Sequence, residues 1–231
     1  KNKKIKGSIF IQNGLVKELG DIDTSEDVTK VNCRDKIISA GFIDIHAHFR
    51  EPGREDKETL ATGARAAISG GYTRVCVMPN TDPPLDSPES IRFILEKASD
   101  LPLKIFPIGA ITVGQLGIEL TEIGEMVKAG AVAISDDGIP LQNGQLLRYA
   151  FEYAQKYKVP VINHAEDIHL RNDGVMNESI LSTRLGLPGN PDISESVMVH
   201  RDLEIADYCG GRIHVPHVST KRSVNLIREY K

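Results

Sequence analysis

The chain has 231 residues, of which 40% are hydrophobic and 26% charged, and its net charge is −4. That composition suits a globular protein with a sizeable core, and the absence of a basic run argues against nucleic acid or an anionic membrane as partner. No apolar stretch approaches the ~20 residues that a membrane helix needs, and no signal peptide is visible.

Cys33, Cys76 and Cys209 are few, odd in number and widely spaced. That pattern fits a reducing compartment, so a cytoplasmic location is expected, and it argues against a disulfide framework. The sequence starts at Lys1 rather than Met, so the native N-terminus is expected to lie upstream.

In chain order, Ser8 to Leu19 predicts two strands around the Asn13-Gly14 turn, a strong hairpin signal. A further strand is predicted at Val28 to Asn32. These pieces form part of a small β domain over residues 1–40. The run Ile38 to Ile45 is apolar and β-prone and predicts a buried strand, closed by the turn residues Pro52-Gly53. From there strand and helix alternate. Helices are predicted at Glu58 to Ser69, from Asp86 or Ser87 to about Ser99, within Gly117 to Ala129, at Gln145 to Tyr157, Ser194 to Tyr208 and Lys221 to Tyr230. Strands are predicted at Thr73 to Met78, Leu103 to Ile108, Ala131 to Ser135, Val159 to Asn163 and Arg212 to Val218. Capping signals support several boundaries: Gly70-Gly71 after the first helix, Pro88 near the start of the second and Gly210-Gly211 near the end of the fifth. The segment from Arg171 to Glu195 is a candidate cover for a site, but its conformation does not follow from its pattern.

Six βα units in succession imply a parallel sheet. Either an open doubly wound sheet or a (β/α)8 barrel satisfies the pattern. A complete barrel takes ~250 residues, so the barrel reading leaves two units outside this sequence. The polar residues favour the barrel. In such a barrel the active site lies at the C-terminal ends of the strands. There the sequence puts His46, His48 and Arg50 after the first strand and Asn80 after the second. Asp136 and Asp137 follow the fourth, His164 the fifth and His217 the sixth. On a strand, residues two apart share a side, so His46 and His48 can grip one metal ion, and imidazole suits zinc. Arg50 has the planar fork that holds carboxylates. Taken singly, each has an ordinary reading: Asn80 and Asp136-Asp137-Gly138 as turns, His164 and His217 as strand-end histidines. Their convergence on one rim favours a metal site. His169, His200 and His214 fit no such pattern and read as ordinary helix, loop or core histidines. Glu166 and Asp167 read as residues behind the ligands or as solvated charges.

The run Asp44-Ile45-His46-Ala47-His48-Phe49-Arg50-Glu51-Pro52-Gly53 resembles the metal-binding signature of dihydroorotases, in the amidohydrolase superfamily. Met78-Pro79-Asn80-Thr81 resembles the second strand end of that family. The resemblance runs from about Gly7 to Lys231. It implies His46 and His48 as ligands of one metal ion, His164 and His217 as ligands of a second, and one or two zinc ions in all. Many relatives bridge the ions with a carboxylated lysine. Ile134-Ser135-Asp136-Asp137-Gly138 contains none, and resembles the branch that uses an aspartate, here Asp137. Arg50 and Asn80 match residues that hold the α-carboxylate of the substrate. The implied reaction is the reversible cyclisation of N-carbamoyl-L-aspartate to L-dihydroorotate, in pyrimidine biosynthesis. The family's acid–base aspartate after strand eight, in an Asp-x-Ala-Pro-His motif, has no counterpart in this sequence. Two alternatives remain: a hydantoinase- or allantoinase-type cyclic amidohydrolase, and a non-catalytic scaffold subunit for aspartate carbamoyltransferase. A homo-oligomer is expected.

Overall fold

The computed structural model describes residues 6–23 and 28–231. The chain divides into two compact units, Lys1–Ala40 and Gly41–Lys231. In the first unit, β1 (Ser8–Gln12) and β2 (Leu15–Gly20) form an antiparallel hairpin. Asn13 and Gly14 take φ of 52° and 73°, the left-handed pair whose twist matches the flanking strands. The strand expected at Val28 to Asn32 does not form, and those residues are irregular. Val31 is 78% exposed; a β-prone run without a neighbouring ladder gains nothing by staying extended. Residues 1–5 and 24–27 of the expected small β domain lie outside the described residues.

The second unit runs β3 (Phe42–Ala47), α1 (Leu60–Ser69), β4 (Tyr72–Val77), α2 (Pro88–Lys97), β5 (Lys104–Pro107), α3 (Ile123–Ala129), β6 (Ile134–Ser135), α4 (Gly144–Tyr157) and β7 (Val161–Ile162). It continues through α5 (Ile168–Arg171), β8 (Met176–Asn177), α6 (Ile180–Leu185) and β9 (Gly189–Asn190) to α7 (Ile193–Cys209), β10 (Ile213–His214) and α8 (Lys221–Glu229). Helix starts follow local chemistry. Thr59, Ser87 and Thr220 each accept the backbone N–H three residues on, and Asn143 accepts from Gln145 and Leu146, which satisfies N–H groups the helix leaves free.

β3, β4 and β5 pair in parallel, as do β6, β7 and β10. A parallel bridge from Gly109 to Ile134, with Val132 N–H donating to Pro107 O at 3.1 Å, joins the two groups. The spatial order is therefore the chain order, with no reversal of the kind that marks a doubly wound sheet. Laid flat, the first and sixth strands would stand about 24 Å apart at ~4.8 Å per neighbour. Yet the rings of His46 and His217, carried at the ends of those strands, have centroids 5.2 Å apart. The sheet is curved like a barrel wall. It does not close: β3 and β10 remain edges among the described residues.

Several boundaries differ from expectation. The first barrel strand spans Phe42–Ala47 rather than Ile38 to Ile45, because pairing with β4 begins only at Phe42 opposite Tyr72. The run Arg212 to Val218 yields only Ile213–His214, since Pro216 has no N–H to donate and His217 turns left-handed at φ 34°. Within Gly117 to Ala129 only Ile123–Ala129 is helical; Gly114, Gln115 and Gly117 hold positive φ ahead of it.

Side chains alternate between two packing zones. Val75, Val77, Ile105, Ile134 and Val161 face the helices, where Leu60, Ile91, Met126, Leu147 and Phe151 complete the main core. Met78, Ile108, Ala133 and Ile162 form a separate inner cluster. Ala47 joins the helix side, and His46 beside it faces the interior.

Candidate metal centre

Histidines from the ends of β3, β7 and β10 meet at Asp137. This residue follows β6, is 3% exposed, and has its N–H fixed by Ser135 Oγ at 3.0 Å. Its two carboxylate oxygens face different histidine pairs. Oδ2 lies 3.5 Å from His46 Nε2 and 3.4 Å from His48 Nε2. Oδ1 lies 3.2 Å from His217 Nε2 and 3.6 Å from His164 Nδ1. These atoms make two three-ligand groups that share one carboxylate.

The electrostatics of the cluster suit a cation. Asn80 Oδ1 can only accept, so at 2.8 Å it accepts from the N–H of His48 Nδ1. Burial pushes the His48 pKa down, outweighing the Asn80 bond and the Asp137 charge. The neutral ring then turns a bare Nε2 lone pair toward a carboxylate oxygen. Two acceptors so placed repel unless a cation lies between them. Their separation agrees: ligands about 2.05 Å from a tetrahedral zinc stand roughly 3.4 Å apart, and the four contacts here are 3.2–3.6 Å. His164 Nδ1, on the side of its ring toward Asp137, is buried without a hydrogen-bond partner. The residues therefore fit a metal ion or a pair of them. Burial alone would raise the pKa of Asp137, but the His164, His217 and His46 rings that face it overcome this and hold the carboxyl far below the usual range. The nearby Asp137 carboxylate raises the pKa of His164 against its burial.

The neighbouring residues divide their work. Asp136, 1% exposed, turns away from the centre and accepts from Ile111 N–H at 2.7 Å, Thr112 N–H at 3.1 Å and the Thr112 hydroxyl. It anchors the loop after β5, and burial raises its pKa. Arg50 lies beyond β3, where alternation no longer governs direction. A left-handed turn at φ 62° brings it near enough to His48 for its charge to contribute to lowering that pKa. Gly53, at φ 93°, packs its backbone on the loop after β4; a Cβ there would stand 1.8 Å from Asp82 O. Gly138, at φ 86°, passes the Asn80 amide closely, 3.0 Å from a Cβ to Nδ2.

The structure brings together His46, His48, Asp137, His164 and His217, with Asn80 touching His48 and Arg50 close by. His214 belongs to the same neighbourhood, although no motif or strand-end pattern singles it out in sequence. Ile213 packs toward the helices, so His214 faces inward below the cluster. Burial, then the charges of His46 and His217, lowers its pKa. Alternation along β10 was the available signal, but a two-residue strand is too short to show it in sequence. A cavity of about 390 Å³ opens beside His164 and His217, lined among others by Glu166, Asn190, Glu195 and Lys221.

Residues 35–223 match the family model described as "Dihydro-orotase-like". The chain is 46% identical over 226 residues to the dihydroorotase of Anaeromyxobacter sp. (strain K), covering 97% of this chain and 52% of that protein. It is 47% identical over 233 residues to the dihydroorotase of Endomicrobium trichonymphae, covering 100% of this chain and 54% of that one. The chain thus spans about half the length of the curated relatives it matches. Among solved structures it resembles L-hydantoinase from Arthrobacter aurescens, with a TM-score of 0.73 at 21% identity, over 96% of this chain and 51% of that one. That likeness concerns the fold. A match over most of the sequence, a metal-type cluster at the strand ends and close curated relatives agree: the chain belongs to the dihydroorotase-like family of the amidohydrolase superfamily.

Proposed function

We propose that this protein is a zinc-dependent cyclic amidohydrolase that interconverts N-carbamoyl-L-aspartate and L-dihydroorotate. The observation that carries the reading is the division of the Asp137 carboxylate, with Oδ2 serving His46 and His48 and Oδ1 serving His164 and His217. A carboxylate used on both sides is what a bridging aspartate requires, and it supports the branch that lacks a carboxylated lysine. One or two zinc ions suit the nitrogen-rich donor set. When bound, zinc supplies a hydroxide at neutral pH and polarises an amide carbonyl.

The chain's own residues do the rest. Asn80 fixes the His48 tautomer so that Nε2 faces Asp137. Arg50, with Asn80, holds the substrate α-carboxylate by a bidentate contact. Cyclisation also needs a proton shuttle close to the reacting nitrogen. The resemblance to dihydroorotases gives that role to an aspartate after an eighth strand. The hairpin of residues 8–20 is part of the small β domain. The protein acts in the cytoplasm as a homo-oligomer.

A hydantoinase-type activity is favoured only by likeness of fold; the identity to dihydroorotases and the presence of Arg50 weigh against it. A non-catalytic scaffold for aspartate carbamoyltransferase would be expected to have lost ligands, and all five are present here. The test is to assay the full-length protein, stripped of metal and reloaded with zinc, on dihydroorotate and on hydantoin, beside Asp137→Asn. Zinc-dependent opening of dihydroorotate, reduced at least 100-fold in Asp137→Asn together with its metal content, is expected. Preference for hydantoin, or full activity in the variant, would overturn the reading.

A further inference from the structure

The two histidine pairs around Asp137 are held by different parts of the chain. His46 lies on β3, and His48 is fixed by Asn80 from the loop after β4. On the other side, the supports come from the excursion between β7 and α7. Glu166 Oε2 lies 3.6 Å from His164 Nε2, the nitrogen turned away from Asp137. The other oxygen of Glu166 accepts from Asn190 Nδ2 at 3.0 Å, and Asn190 Oδ1 accepts from Ser194 Oγ at 2.6 Å. Gln142 Nε2 donates to Glu166 O at 2.9 Å. Glu195, in the first turn of α7, accepts from Ser219 N–H at 2.8 Å, Thr220 N–H at 3.0 Å and Thr220 Oγ1 at 2.9 Å. Those are the residues just past His217, whose left-handed φ of 34° persists only if its surroundings impose it.

We propose that the segment from Glu166 to Glu195 positions the His164/His217 half of the centre independently of the His46/His48 half. Glu166, steadied by Asn190, sets the His164 ring; Glu195 sets the turn that carries His217. Both are positioning residues. A carboxylate behind a ligating imidazole fixes its tautomer and raises its basicity, and loss of such support typically costs about 10–100-fold in metal affinity. One ion site therefore depends on this segment, and the other depends on Asn80. The proposal rests on the metal reading above, taken with both ion sites filled, and goes beyond it by assigning each site its own support.

The test is calorimetric titration of the metal-free full-length protein with zinc. Wild type is expected to take up two equivalents. Asn190→Ala and Glu195→Gln should each keep one equivalent at wild-type affinity and weaken the other by about 10–100-fold. Asn80→Ala should also weaken one. The double variant Asn80→Ala/Asn190→Ala should weaken both, because the two changes act at different sites. If the double variant keeps one wild-type equivalent, the two supports serve the same ion and the proposal fails. It also fails if the single variants bind like wild type, or lose both equivalents alike. Wild type taking up one ion would overturn the separate supports and leave the reading of one or two ions standing; uptake of none would remove that reading as well. Thermal unfolding of each metal-free variant identifies those that keep the wild-type fold; if neither Asn190→Ala nor Glu195→Gln does, the segment supports the fold rather than one site, and the proposal falls.

Discussion

At the scale of single residues, direction matters more than identity. Asp136 and Asp137 are adjacent and chemically equal, yet one ties a loop to its neighbour and the other faces four imidazoles. Arg50 reaches the neighbourhood of His48 by a left-handed turn rather than by strand alternation. If its fork holds a carboxylate, Arg50→Lys keeps the charge but loses the bidentate geometry. The expected result is a KM raised about tenfold, or ~1.4 kcal/mol of binding, with zinc content unchanged by elemental analysis. A drop in zinc content would make Arg50 a structural residue. Gly53 is set by contact as much as by conformation. Gly53→Ala meets Asp82 O at 1.8 Å and a φ of 93°, so a loss of roughly 2 kcal/mol or more is expected, measured by urea denaturation of the metal-free protein.

At the scale of elements, short strands deliver their side chains through loops that other elements hold. β6, β7 and β10 have two residues each. Beyond β7, Asn163 Oδ1 accepts from Leu141 N–H at 3.2 Å and its Nδ2 donates to the buried Asp202 at 2.7 Å. Arg201 donates to the carbonyls of Leu141 and Gln142. Thus α7 fastens the loop that follows Asp137. Between α7 and α8, Glu195 gives a pH signature. Burial would raise its pKa, but hydrogen bonds from Ser223, Ser219 and Thr220 prevail and lower it. A carboxyl with a depressed folded pKa contributes stability that is present above its unfolded value of about 4.3 and is lost as pH falls through the folded value. Glu195→Gln should therefore be less stable than wild type by about 2 kcal/mol at pH 7, and the gap should shrink below about pH 4. A gap that stays constant down to pH 3 would assign the cost to packing instead.

At the scale of the whole molecule, the curved sheet has two open edges. On β3, Phe42, Ile43 and Ile45 are 55%, 54% and 51% exposed. An unpaired edge carrying apolar side chains is a template for association. Residues 1–231 expressed on their own should therefore aggregate or bind a hydrophobic dye, and show no turnover. Light scattering and size-exclusion chromatography check this; a soluble, active monomer of that length would refute it.

Much was legible in the sequence because it is local. The Asn13-Gly14 hairpin, the helix caps, the alternation of strand and helix, and the His46-x-His48 pair each depend on residues within a few positions of one another. The run from Asp44 to Gly53 also carried the family. Sequence could place His164, Asp137 and His217 at strand ends, because a parallel barrel puts all such ends on one rim. Only the tertiary structure decided which atoms face each other there. The split of the Asp137 carboxylate, the Asn80 bond to His48, the inward His214 near His46 and the Glu195 brace join residues 24 to 168 positions apart. Such contacts arise when a sheet bends, and the bend is a sum over all six strands that no single stretch encodes. The strand predicted at Val28 to Asn32 failed for the same reason: extended backbone is fixed by the neighbour it pairs with, and propensity alone does not supply one.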